Sequence, residues 1–336
     1  MSLLTKRAFT GASIQDDGRS GLQRYGVTSS GGVDKLALAQ GRALLKDEEN
    51  TAVIEFSAVG GTFLVQESSF FVLTGAEAQL YLNDTPILRG QVFRAQVGDE
   101  IKIGSITKGF YSYLHVAGGF CTDSHLKSRS TNIQAGLGTT LETGKILPYK
   151  KKLKRNFMYM NLGEYCNSDS IRVVSGPQTD FFPEKVFERF LDTEFEVSQK
   201  RDRMGVKLNF KSKNFFIEDG LSIVSDAIEV GDIQIDGQGQ PTVLLNDRQP
   251  TGGYPRISTV ISADLHKFAQ ISINSKFNFV LVSLEEAIIA LKELAEQLKT
   301  LDEQVDFFQR DPHYISNLLS YSLVGGAIRG DEYDES

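Results

Sequence analysis

The chain has no tryptophan and only two cysteines, Cys121 and Cys166, in 336 residues. Without CxxC spacing the pair implies neither a disulfide framework nor a zinc site, and both read as ordinary reduced residues. Histidine is scarce too, with four in the chain. His115, His125, His266 and His313 stand in no ligand-like arrangement, so neither a metal nor a histidine-based triad is expected. No stretch approaches the roughly 20 apolar residues of a membrane-crossing helix, and the start, Met-Ser-Leu-Leu-Thr-Lys-Arg, lacks the apolar core of a secretion signal. The expectation is a cytoplasmic protein with no membrane partner. Nucleic acid is not expected either, because 36 basic residues against 43 acidic ones give a net charge of −7 with no basic stripe. The basic run Lys150-Lys151-Lys152-Leu153-Lys154-Arg155 reads as a solvated linker. Phosphate-loop, dinucleotide, HExxH and GxSxG patterns are all missing. ATP chemistry would therefore need a partner protein or an unfamiliar site. A Met-Lys-Met sequence to carry covalent biotin is missing too.

What is present is a hydrophobic content of 40%, enough for well-buried cores in a chain longer than one typical domain. From Ala52 to Val116 short apolar segments alternate with turn signals such as Asn83-Asp84 and Gly98-Asp99, which predicts a closed or sandwiched β structure. Glu55 sits inside one of these apolar strands, where an ionised carboxylate requires a partner. Before that region, Arg19 lies between the turns Asp17-Gly18 and Ser20-Gly21. Ser29-Ser30-Gly31-Gly32 leads to Asp34, at the start of a helix ending near Leu45. A Gly pair in Ala117-Gly118-Gly119-Phe120, followed by Ser128-Arg129-Ser130-Thr131, reads as an anion or amide cradle. Further strands are predicted over 171–174 and 206–210, a short helix over 184–191, and the adjacent charges Asp202 and Arg203 between them. Ser283 with Glu286 forms a capping box, and apolar spacing from Leu284 to Phe308 predicts one long amphipathic helix. The acidic end from Asp331 to Ser336 is expected to be disordered.

The densest chemistry lies between two apolar strands, in Asn246-Asp247-Arg248-Gln249-Pro250-Thr251-Gly252-Gly253-Tyr254-Pro255. Arg248 is suited to a two-pronged contact, Gln249 both donates and accepts, Tyr254 adds a phenol, and the Gly pair allows close backbone approach. A turn capped by Asp247 and paired with Arg248 would explain part of this composition. It would not explain so many distinct functional groups. A small planar amide or carboxylate is the ligand that fits.

Taken in order, QDDGRSGLQRYG, GGVD, LTGAEA, VAGGF with SRST, VSGPQTDFF, RDRMGVKL, GDIQIDGQGQPTVLLNDRQPTGGYP and VSLEEA resemble one family. It is the family of the C subunit of bacterial ATP-dependent 5-oxoprolinase, also labelled allophanate hydrolase subunit 2. The family includes the carboxyltransferase half of urea carboxylase and an antagonist of a sporulation-kinase inhibitor. The resemblance implies a mostly β fold of two cyclophilin-like β-barrel lobes with a few helices and a long C-terminal helix. The lobes would span residues 1–150 and 151–286, with the helix and acidic tail at 287–336. Implied partners are the A and B subunits of 5-oxoprolinase, which would complete an ATP-hydrolysing enzyme that opens 5-oxo-L-proline to L-glutamate, with ATP bound by or with them. A carboxyltransferase using biotin from another protein, or a non-enzymatic antagonist of a kinase inhibitor, are the alternatives. In the first reading Arg248 and Arg203 hold carboxylate or phosphoryl oxygens, Gln249, Gln234 and Tyr254 orient the amide, and Asp247 is the candidate base. Arg19 and Arg129 stand at the rim, with Asp34, Glu55, Ser130, Thr251, Gly252 and Gly253 as further substrate contacts. The family commonly has Thr at Pro250, proline-containing sequence at Ser29-Ser30, and Ala or Thr at Asp232. Pro250 removes a hydroxyl and a backbone donor from the central loop.

Overall fold

The structure, a computed structural model, describes residues 1–9, 11–150, 152, 157–163, 169–215 and 223–307. Cys166, His313, most of the basic run and the acidic end lie outside the described residues. The first part of the chain builds β1 (Ser2–Ala8), β2 (Ser13–Gln15), α1 (Lys35–Leu45), β3 (Val53–Ser57), β4 (Gly61–Val65), β5 (Ser69–Leu82), β6 (Thr85–Ile87), β7 (Phe93–Ala95), β8 (Glu100–Val116) and β9 (Ile146–Pro148). These nine strands form one sheet along the path β2-β3-β8-β4-β1-β9, with β5 also on β8 and carrying β6 and β7. It is a half-barrel around a core that includes Leu3, Ile14, Phe56, Phe63 and Phe71.

β10 (Met158–Tyr159), β11 (Ser170–Ser175), α2 (Glu184–Asp192), β12 (Glu194–Arg201), β13 (Gly205–Phe210), β14 (Asp226–Ala227), β15 (Asp232–Ile235), β16 (Pro241–Leu244), β17 (Thr251–Gly252), β18 (Arg256–Val260), α3 (Leu265–Gln270), β19 (Lys276–Leu281), α4 (Leu284–Lys299) and β20 (Asp306–Phe307) follow. Seven of them close a barrel in the order β11-β18-β15-β16-β13-β12-β19, while β14 pairs with β17 and β10 with β20. Alternation decides which residues fill it. Val206, Leu208, Ile233, Ile235 and Val243 point into a phenylalanine-rich interior, leaving Lys207, Gln234 and Thr242 for the outer face. Val33, Leu38, Tyr111 and Tyr113 of the first lobe belong to the same hydrophobic cluster as the barrel, so the two lobes share a core. Gln270 pins the seam: its Oε1 accepts from the Phe110 and Tyr111 N–H groups, and its Nε2 donates to Asp34 and to the Tyr111 carbonyl.

Two local expectations change. The segments read as separate short strands in 69–82 and 100–116 are two long ones. Gly75 and Gly109, at φ +78° and +87°, let the strands bend through bulges without ending the ladder, which breaks the alternation seen in sequence. The C-terminal helix stops at Lys299 and does not run to Phe308. Leu301, 2% exposed, turns inward to pack with Leu44, Leu45 and Met160, and the chain returns as β20 on β10.

Candidate functional site

The sequence-nominated side chains fall into three groups. The first is a buried ion network on the seam between the lobes. Arg203, in the turn between β12 and β13, donates from Nε to Asp247 Oδ2 at 2.8 Å, from Nη2 to Asp247 Oδ1 at 3.1 Å and to the Gly31 carbonyl at 2.7 Å, and from Nη1 to Glu55 Oε1. Glu55, fully buried on β3, also accepts the Val33 N–H at 3.0 Å, so the partner its apolar strand requires is present. Burial works against the Arg203 charge, but Glu55 and Asp247 outweigh it and hold the guanidinium well above its ordinary pKa. Every nitrogen of Arg203 is spent on protein acceptors. Asn246 reinforces the same junction, its Nδ2 lying 3.2 Å from each of the Ser30, Gly31 and Gly32 carbonyls. Asp34 caps α1 by accepting the Ala37 N–H at 2.9 Å and takes the Gln270 amide on its other oxygen, which makes it part of the seam.

The second group is the expected cradle, which holds a carboxylate from the chain itself. Asp16 Oδ1 accepts from Ser128 Oγ at 2.6 Å, Ser130 Oγ at 2.5 Å and Gly18 N–H at 2.8 Å, and Asp16 Oδ2 accepts the Arg129 N–H at 2.6 Å. Arg19, nominated for the rim, is 3% exposed and donates to the Ser130 carbonyl. Burial lowers its pKa, opposed by Asp16 and Asp247. Gly118 N–H is likewise taken, by the Asp47 carboxylate at 3.0 Å.

The third group lies on the outer face of the barrel. Thr242 on β16 is registered with both Lys207 on β13 and Gln234 on β15, so three polar side chains form a row across adjacent strands. With Arg248, Gln249, Lys200, Asp202 and Ile228 they line a cavity of about 230 Å³. Arg248 is 3% exposed. Its Nε donates to the Ile228 carbonyl at 2.9 Å, and its Nη2 donates to Glu229 Oε2 at 2.7 Å and Gln23 Oε1 at 3.4 Å. Its Nη1 and the Gln234 Nε2 are both buried and have no hydrogen-bond partner. Both residues line the cavity, and a buried donor without an acceptor is costly. Burial pulls the Arg248 pKa down, against Glu229 and Asp232.

The remaining loop residues do not converge there. Thr251 and Gly252 are engaged as β17 on β14, Gly253 is half-buried behind them, and Tyr254 is 46% exposed outside the cavity lining. Gly252 matters for space: a Cβ there would stand 2.4 Å from Gln234 Nε2. Sequence reasoning missed Lys200 and Lys207. The signal available for Lys207 was its place between the core residues Val206 and Leu208. It also missed Gln23, which donates to the Ile228 and Pro250 carbonyls from the other lobe, and Arg256, whose Nε donates to Gln178 Oε1 at 2.8 Å while Nη2 pairs with Asp226. Among the described residues no cluster of three or more His, Cys, Asp or Glu could hold a metal, and no helix is long and apolar enough to cross a membrane.

A closed barrel and a half-barrel joined along one buried seam recur inside two much longer proteins of known structure. The urea amidolyase of K. lactis matches with a TM-score of 0.78 at 21% identity, over 93% of this chain and 20% of that one. The urea carboxylase of Kluyveromyces lactis matches equally, over 31% of its length. The chain belongs to the carboxyltransferase domain family, subdomains A and B, matched over residues 25–281. Within it, the chain is 34% identical over 281 residues to the 5-oxoprolinase C subunit of Haemophilus influenzae, covering 82% of this chain and 90% of that protein. It is 30% identical over 291 residues to the Escherichia coli protein of the same name, covering 85% and 93%. A urea amidolyase of Lachancea kluyveri is 25% identical, with this chain spanning 17% of its length.

Proposed function

We propose that this chain is the C subunit of an ATP-dependent 5-oxoprolinase and that, with the A and B subunits, it opens 5-oxo-L-proline to L-glutamate. The observation that carries the reading is the pair of buried, partnerless donors, Arg248 Nη1 and Gln234 Nε2, lining one small cavity in a chain related to the 5-oxoprolinase C subunit. A guanidinium N–H and an amide N–H on residues lining one cavity suit a carboxylate, and Lys200 lines the same cavity, while Lys207 is paired with Asp236 at 3.3 Å. Opening a lactam requires breaking amide resonance, so anchoring the carboxylate would hold the ring in one orientation for attack. In this reading Arg203 and Asp247 position the loop: their charges satisfy each other and Glu55, which leaves Asp247 unsuited as a free base.

ATP would supply a phosphoryl group to the lactam oxygen, activating the carbonyl carbon for attack by water and departure of the ring nitrogen. The sequence has no phosphate-loop pattern, so the nucleotide is assigned to the partner subunits. The family match favours a second reading, a carboxyltransferase acting with biotin carried by another protein. The test is to co-express the chain with the A and B subunits, then measure glutamate released from 5-oxo-L-proline and, in parallel, carboxyl transfer from carboxybiotin. Glutamate release dependent on this chain supports the first reading, whereas transfer without glutamate release replaces it with the second.

A further inference from the structure

The larger cavity at the seam, about 490 Å³, is separate from the Arg248 site and takes no part in the function proposed for it. Its roof is α4, which lies beyond the family-matched residues 25–281. Ala287 and Ala290 seat α4 on the barrel beside Ile261 and Ala263, and Leu298 reaches the core under α1. Leu291 and Leu294 of α4 line the cavity together with Leu36 of α1 and Leu265 of α3. Leu291 is 46% exposed, an apolar surface that a ligand would cover.

The polar end has a definite charge. Asp17 is the one acid in the lining, and it is already engaged: its Oδ1 accepts Arg42 Nη1 at 2.6 Å and its Oδ2 accepts the Asn50 N–H at 2.8 Å. Lys35 lines the same cavity and has no carboxylate partner among the described residues, and the neighbouring His266 makes no hydrogen bond among them. An exposed lysine without a carboxylate partner, on the lining of a cavity that also presents several leucines, suits a ligand with an apolar body and a single negative end. We propose that this cavity binds a small amphipathic carboxylate, with its chain under α4 and its carboxylate at Lys35.

The full chain titrated calorimetrically with sodium octanoate tests this, with 1-octanol and sodium acetate as the probes that each lack one half of the recognition. Octanoate is expected to bind saturably and at least tenfold more tightly than either. Lys35→Ala should weaken octanoate at least tenfold. Ala295→Trp, at an exposed position of α4 that lines the cavity, should abolish binding by filling it, with melting temperatures confirming that both variants fold. No saturable octanoate binding, equal binding of 1-octanol or acetate, or octanoate binding unchanged in the two folded variants would each overturn the proposal.

Discussion

Replacing Arg203 by methionine removes the one cation between two carboxylates on the lobe seam. Glu55 has no solvent exposure and Asp247 is 9% exposed, so neither can be rehydrated without opening the shared core. Breaking a buried ion pair by deleting one partner costs about 3–5 kcal/mol, because the remaining charge is left uncompensated. At roughly 2–4 °C per kcal/mol for a chain of this size, melting should fall by about 10 °C. The pairing of Glu55 with Arg203 carries the effect, so adding Glu55→Gln to Arg203→Met should restore about half of it. A neutral amide there still accepts the Val33 N–H. Urea and thermal unfolding followed by circular dichroism read both variants. A loss below about 1 kcal/mol for Arg203→Met would mean that the network is solvated and that Arg203 is free for a ligand after all.

Other perturbations separate packing from binding. Gly252→Ala places a methyl 2.4 Å from Gln234 Nε2, and since Gly252 has no left-handed backbone, the expected result is about a tenfold rise in KM for 5-oxo-L-proline with little change in melting. Gly41→Ala drives a Cβ to within 2.1–2.3 Å of the buried His115 ring and should cost about 1–3 kcal/mol in urea unfolding. Burial first, and Arg42 second, push the His115 pKa down to about 3. The unfolded chain then binds a proton that the folded one refuses, so stability contributed by neutral His115 is complete above pH 6.5 and lost as pH falls toward 3. The slope should approach about 1.4 kcal/mol per pH unit, and His115→Gln should flatten it. Ser283→Ala removes the hydroxyl that accepts Glu286 N–H in the α4 capping box and should cost about 1 kcal/mol, read as loss of helical signal on mild heating.

Much of the architecture was legible because short-range patterns decide it. Ile233 and Ile235 around Gln234 mark the strand and its buried face, Asp34 and Ser283 mark helix starts, and each of these depends on near neighbours in the chain. Long-range partners were not legible. Ser128 and Ser130 look like a ligand cradle until Asp16, more than 110 residues away, is found inside it. Arg203 and Arg248 look alike in sequence. One is consumed by Glu55, 148 residues distant, while the other keeps a free Nη1, and only the closed fold tells them apart.

The most direct measurement is KM for 5-oxo-L-proline in the assembled complex carrying Gln234→Leu. Gln234 Nε2 has no protein partner to lose, so replacing it with a similar apolar side chain should leave melting unchanged or slightly raised. The prediction is at least a tenfold higher KM with kcat nearly intact. An unchanged KM in a folded, assembled complex would contradict the assignment of this cavity to the substrate.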